Sequence, residues 1–244
     1  APIQGLIKRL GPPATATAEP RARDLAATLA KAARLREAVA REAVEINPSL
    51  RQRAYAFFAS HVGARQAAQW EEMFLDWYHF DYRVPVMGGR TFIEQAFLFG
   101  DLGESETDVL MGWIGRHPAF YVVEGVGRGD ERGPGARLSL VGLMDQKLIE
   151  VDWLRLSQPI VPGDVVFARI VPVDDLMVSM GVVVAFPARY RESIRNALLE
   201  DRALVERWNG KTLTWYEFGA LYAERLYALA LRGVDEAGVD LYDD

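Results

Sequence analysis

The sequence predicts an α+β protein: a helical N-terminal region, a small five-stranded antiparallel barrel-like β unit, and two C-terminal helices. Three observations carry that prediction. Residues 21–118 are rich in strong helix formers, with apolar side chains at spacings of three and four. Residues 119–186 hold five short Val/Ile-rich runs separated by turn signals. From Pro187 the helical spacing returns. The expected divisions are a flexible arm or linker over residues 1–20, the helical region over 21–118, the β unit over 119–186, and C-terminal helices with an acidic tail over 187–244.

The chain has 244 residues and is 50% hydrophobic, enough for one large core or two small domains. Its formal net charge of −6 argues against a general nucleic-acid binder. The absence of cysteine excludes disulfides, thiolate nucleophiles and zinc–thiolate sites from this chain. The three histidines, His61, His79 and His117, show no ligand spacing, so neither a metal nor a cofactor is expected. No apolar run approaches the roughly 20 residues of a membrane span, and the opening residues are too short and broken for a secretory signal. The expectation is a cytoplasmic protein with no membrane attachment.

Taken in order, the arm carries a short apolar-basic piece with Leu6, Ile7 and Leu10, followed by Pro12, Pro13 and Pro20, which stop any helix. Leu25, Leu29 and Leu35 then set a helical stripe, and Arg34, Arg36 and Arg41 interleave with Glu37, Glu42 and Glu45 as a solvated face. Asn47 and Pro48 suit the cap and first turn of a new helix, which Gly63 ends. Ala64 opens the next helix, and Val84-Pro85 closes it, since a residue before proline disfavours helical geometry. Gly88-Gly89 predicts a turn. Thr91 with Glu94 forms a capping box for a helix ending near Gly100. Ser105 with Asp108 is read as the cap of a helix through Trp113, stopped by Pro118.

Strands are predicted over residues 120–126, 137–143, 147–153, 165–172 and 177–186, with hairpin tips at 144–146 and 174–175 and a turn at 161–164. Such strands suggest a barrel of the oligonucleotide-binding or SH3-like kind. The glycine-rich residues 127–135 lead from strand to strand. A phosphate-cradling loop leads into a helix, so these residues are read as a hairpin loop. Arg137, Lys147, Arg155 and Arg169 are scattered along the strands and offset by Asp145, Glu150, Asp152, Asp164, Asp174 and Asp175. No basic stripe for a phosphate backbone emerges, so nucleic acid is not an expected partner. Beyond the barrel, one helix ends at Asn209-Gly210. Thr214 with Glu217 caps a last helix carrying Phe218, Leu221, Tyr222, Leu226 and Leu229.

Residues 70–91 form the densest aromatic cluster, with Asp76, His79, Asp81 and Arg83 among the rings and Arg90 beyond the double glycine. Trp70, Phe74, Trp77 and Asp81 share a helical face, which reads first as a core helix leading into a pinned turn. On that reading Asp81 pairs with Arg83 or Arg90 and locks the turn. The functional reading makes Asp76, His79, Asp81, Arg83 and Arg90 ligand-binding, with the two arginines meeting an anion. His79 beside Asp76 or Asp81 has the makings of a base and its orienter, but no nucleophile accompanies them, so no catalytic residue is assigned.

Residues 74–83, Gly89 to Glu94 with its Gly-Arg-Thr, residues 163–175, and residues 186–194 together resemble a bacterial family. Its members often carry a C-terminal SEC-C zinc-binding motif behind a helical and β-rich body. The resemblance covers residues 50–200. The SEC-C motif requires cysteines and is absent here, so its zinc does not carry over, and for the body the resemblance implies no catalytic residues. The expected function is therefore a non-enzymatic binding or adaptor protein, meeting a protein partner through the β unit and the acidic C-terminus. The alternatives are a hydrolase-type enzyme with a site near Asp76, Asp81 and Arg83, and a nucleic-acid-binding small barrel.

Overall fold

The computed structural model describes residues 25–46, 48–128, 136–153 and 160–237. The expected arm, residues 129–135 of the glycine-rich loop, Arg155 and the acidic tail lie outside the described residues.

The helical region holds α1 (Leu25–Ile46), α2 (Pro48–Val62), α3 (Ala64–Gln69), α4 (Glu71–Phe80), α5 (Phe92–Phe99) and α6 (Glu104–Trp113). Ala32, Leu35, Val39 and Ala43 recur at helical spacing on α1 and are buried. Lys31 lies on the same side as Leu35 and Ala38, its side chain 14% exposed, and reaches Ser105 Oγ at 2.8 Å and Asp174 Oδ1 at 2.5 Å. Ser105 is thus engaged, and the first turn of α6 is capped instead by Glu106, which accepts from the Gly103 amide at 3.2 Å. The Thr91–Glu94 capping box forms as expected: the Thr91 amide donates to Glu94 Oε2 at 2.8 Å, and the Glu94 amide donates to Thr91 Oγ1 at 3.3 Å.

One long helix was expected from Ala64 to Val84. The backbone breaks instead at Trp70 (φ −120°, ψ 53°), and α4 ends at Phe80. A short 3₁₀ turn, Pro85–Met87, follows, with Gly88 in the left-handed region at φ 68°. The turn is held by the Val84 amide donating to the Arg90 carbonyl at 2.9 Å.

Strands β1 (Ala119–Arg128), β2 (Ala136–Gly142), β3 (Leu148–Trp153), β4 (Val165–Val173) and β5 (Leu176–Phe186) close into a barrel in the order β1-β2-β3-β5-β4. The expected all-antiparallel arrangement is corrected at one seam, where β3 and β5 run parallel, paired at Asp152 and Val178. Directions cannot alternate round a closed ring of five strands, so at least one neighbouring pair must be parallel. Side chains alternate across the wall. Tyr121, Val123, Leu138, Leu140, Val151, Val166, Ala168 and Ile170 fill the interior. Phe120, Val122, Val165, Phe167, Val171 and Val173 face the helices and join the main core. Strand β4 is consequently covered on both faces.

Among the described residues, three C-terminal α-helices follow rather than two: α7 (Arg191–Asn209), α8 (Trp215–Leu221) and α9 (Ala223–Ala237). The expected last helix breaks at Tyr222 (φ −137°, ψ 37°). Both unexpected breaks fall at an aromatic residue, a type that gives no local stop signal. Helix α9 packs against α2, α4, α7, α8 and β5. Among the described residues, no helix is long and apolar enough to cross a membrane.

Candidate functional site

The aromatic face of α4 is core. Phe74, Trp77 and Tyr78 are at most 2% exposed. Trp77 meets Phe58 at 5.3 Å and Tyr82 at 5.0 Å between ring centroids. Into this apolar setting α4 carries Asp76, and Asp81 caps its end. Both carboxylates turn to one cation, Arg169 of β4, whose side chain is 1% exposed. Arg169 Nη2 donates to Asp81 Oδ2 at 2.5 Å and to Asp76 Oδ2 at 3.1 Å. Nε reaches Asp76 Oδ2 at 3.3 Å, and Nη1 reaches Asp81 Oδ1 at 3.2 Å. Nη1 also donates to the Arg116 carbonyl, and Nη2 to the Tyr227 hydroxyl at 2.8 Å. Tyr227 of α9 in turn donates a short hydrogen bond to Asp76 Oδ2. The Phe80 ring lies 5.1 Å from the guanidinium carbon.

The backbone makes room for this cluster. Opposite Arg169 the β4–β5 register slips between Phe167 and Arg169, so β5 carries a bulge containing Gly181 at φ 76°. A Cβ at Gly181 would lie 2.5 Å from Asp76 Oδ1, which is buried without a hydrogen-bond partner. Two carboxylates facing one guanidinium leave an excess of negative charge. Burial pushes the Asp81 carboxyl up to about 6, against the opposing pull of Arg169. Burial also lifts Tyr227 well above its ordinary value and keeps it a donor. For Arg169, burial acts downward, but Asp76 and Asp81 outweigh it and hold the group well above its ordinary value.

Of the five residues singled out in the sequence, the structure brings only Asp76 and Asp81 together. His79 is partly buried on α4, and burial lowers its pKa to about 4, leaving it neutral. Arg83 is exposed and donates to the Gly89 carbonyl at 3.2 Å. Arg90 lies 5.8 Å from the Phe99 ring centroid. The expected pairing of Asp81 with Arg83 or Arg90 is replaced by the pairing with Arg169, because the end of α4 points Asp81 toward the barrel. Arg169 and Tyr227 were missed. The available signal was a lone arginine inside an otherwise apolar strand, VVFARIVPV. A strand buried on both faces can carry a charge only with a partner.

Beside this cluster a cleft of about 800 Å³ opens where α5, α6 and α8 meet the barrel end formed by the start of β1, the β2–β3 turn and the β4–β5 hairpin. Phe97, Leu98, Met111, Ile114, Trp215 and Phe218 line its helical side. Tyr121, Ile149, Ile170 and Met177 reach it from the barrel interior, so the cleft is the barrel's mouth. Its floor is tied to the buried cluster at two points. Arg116 lines the cleft while its carbonyl accepts from Arg169, and Leu226 lines it next to Tyr227. The α6–β4 contact is close: Trp113 Nε1 donates to the Pro172 carbonyl at 2.7 Å.

The charged residues and the histidine of the cleft are Glu94, Asp108, Arg116, His117, Asp145 and Lys147. Glu94 is used by its capping box. Asp145 lies 3.8 Å from Lys147 Nζ and accepts from the Lys147 amide at 3.3 Å. His117 Nδ1 is buried without a partner, and burial lowers the ring's pKa to about 4. A second hollow of similar volume, lined by Glu200, Asp201, Glu206, Arg207 and Lys211 among others, has walls only from α7 and the turn after it. Among the described residues, no three His, Asp or Glu side chains group as a metal site requires. No protein-family model, curated protein or solved structure matches the chain.

Proposed function

We propose that the protein is a non-enzymatic binding protein whose binding element is the cleft at the barrel mouth. The observation that carries this reading is the cleft itself, about 800 Å³ with a largely apolar wall drawn from helices and barrel interior. Ligand pockets span roughly 300–1,000 Å³ and favour barrel mouths and apolar linings with a few polar groups. The buried cluster supports the same reading from the other side. Asp76 and Asp81 are occupied by Arg169 and Tyr227 rather than turned toward an open site. Their role is to fix β4, α4, α9 and the residues before β1 under the cleft. The charge pattern disfavours nucleic acid: Arg169 is buried, Arg137 pairs with Glu150 at 3.5 Å, and Lys147 sits by Asp145.

The test is fluorescence titration with Nile red, a neutral apolar dye. The wild-type chain binds it saturably. Met111→Lys, at a cleft residue that is 39% exposed and so tolerates a charge without unfolding, weakens binding at least tenfold at an unchanged melting temperature. Absence of saturable binding, or equal binding by the variant, contradicts the proposal.

A further inference from the structure

We infer that the ligand of this cleft is a small amphipathic carboxylate, an apolar body seated at the barrel mouth with its anionic head paired to Arg116. The inference rests on the binding reading above and names its ligand class. Most fixed charges of the cleft are already committed. Glu94 closes a helix cap, and Asp145 and Lys147 lie 3.8 Å apart at the exposed rim, where solvent screens both. Arg116 is different. It is partly buried, and no side-chain hydrogen bond or ion pair joins it to another described residue. Its backbone is pinned on both sides: the amide donates to the Trp113 carbonyl at 2.9 Å, and the carbonyl accepts from Arg169. A free guanidinium on a fixed backbone, at the edge of an apolar wall, is a preorganised fork for a carboxylate. Poor solvation there strengthens the pairing.

His117 follows in the chain and lines the cleft beside Arg116. Its Nδ1 is buried with no partner, while the opposite edge of the ring packs against Gly219, where an added Cβ would lie 2.1 Å from Nε2. Burial keeps the ring neutral, so it adds no second charge beside Arg116. The opposing charge is Asp108, which is exposed on α6 and therefore screened. The less solvated free charge of the cleft is thus positive, and it selects an anion.

The test uses decanoate and decan-1-ol, matched in chain length, as competitors of Nile red on the wild-type chain and on Arg116→Gln. Decanoate is expected to bind the wild type at least tenfold more tightly than decanol. In Arg116→Gln that ratio falls to within twofold of one, at an unchanged melting temperature. Equal affinities in the wild type, or a preference that survives in Arg116→Gln, overturn the carboxylate inference and leave the apolar cleft standing. Failure of the dye itself to bind overturns the underlying reading and this inference with it.

Discussion

Arg169 Nη2 donates to Asp81 Oδ2 at 2.5 Å, joining β4 to the end of α4 across 88 residues of sequence. Asp76 and Tyr227 complete the junction, so the barrel, the central aromatic helix and the last helix meet at one guanidinium. Breaking such a pair from one side leaves an uncompensated buried charge, which costs about 3–5 kcal/mol. Arg169→Met is therefore expected to lose about that much stability in urea unfolding. Adding Asp81→Asn to Arg169→Met returns part of it, since one of the two orphaned carboxylates is then removed. A single Arg169→Met change costing less than about 1 kcal/mol would contradict the burial of this pair.

Most of the fold is legible because its signals are local. The five strands, the hairpin tips, the Thr91 and Thr214 capping boxes and the Gly210 helix end all follow from residues within a few positions of one another. Spacing reveals only near neighbours, so it pairs Asp81 with Arg83 or Arg90 in the same turn. Arg169 reads as one of the barrel's scattered basic residues, although its apolar surroundings signal burial. Tyr227 carried no such signal. The cleft was illegible for a related reason. Phe97, Met111, Ile170, Leu198 and Phe218 each look like core in their own element, and only the assembled elements leave space between them.

Gly181 isolates the contact with Asp76. Its φ of 76° disfavours any side chain, and a Cβ there would press on Asp76 Oδ1. Gly88 has a similar φ of 68° but nothing within 4 Å of an added Cβ. Gly88→Ala is expected to cost about 1 kcal/mol from backbone strain alone. Gly181→Ala is expected to cost about 2 kcal/mol more, from overpacking against a fixed carboxylate. Equal losses in denaturant unfolding would show that the bulge does not confine Asp76.

The pH dependence of stability has a definite sign at Asp81. Its folded pKa, about 6, lies above the ordinary 3.8, so the native state holds this proton more tightly between those values. That contribution is fully present below the ordinary value and is lost as pH rises to about 6. His79 and His117, lowered to about 4 from 6.5, act oppositely and lose stability as pH falls through that window. The difference between wild type and Asp81→Asn removes the histidine contribution. It is expected to move in favour of the wild type as pH falls from 6 to 4. A difference that stays flat would place Asp81 in a solvated setting.

Trp77 is 2% exposed and packs among Phe57, Phe58, Phe74 and Tyr82. Trp77→Ala is expected to cost about 3–5 kcal/mol by cavity formation. A melting temperature within a degree or two of the parent's would contradict its place in the core.

The division of labour between buried cluster and open cleft is tested most directly by amide hydrogen exchange on the wild-type chain, with and without saturating Nile red. Slowed exchange at residues 111–121, at the β2–β3 turn and at residues 215–218, with residues 74–83 unchanged, is the predicted result. Protection confined to residues 74–83, with the barrel mouth unaffected, would contradict it and return the binding site to the aromatic helix.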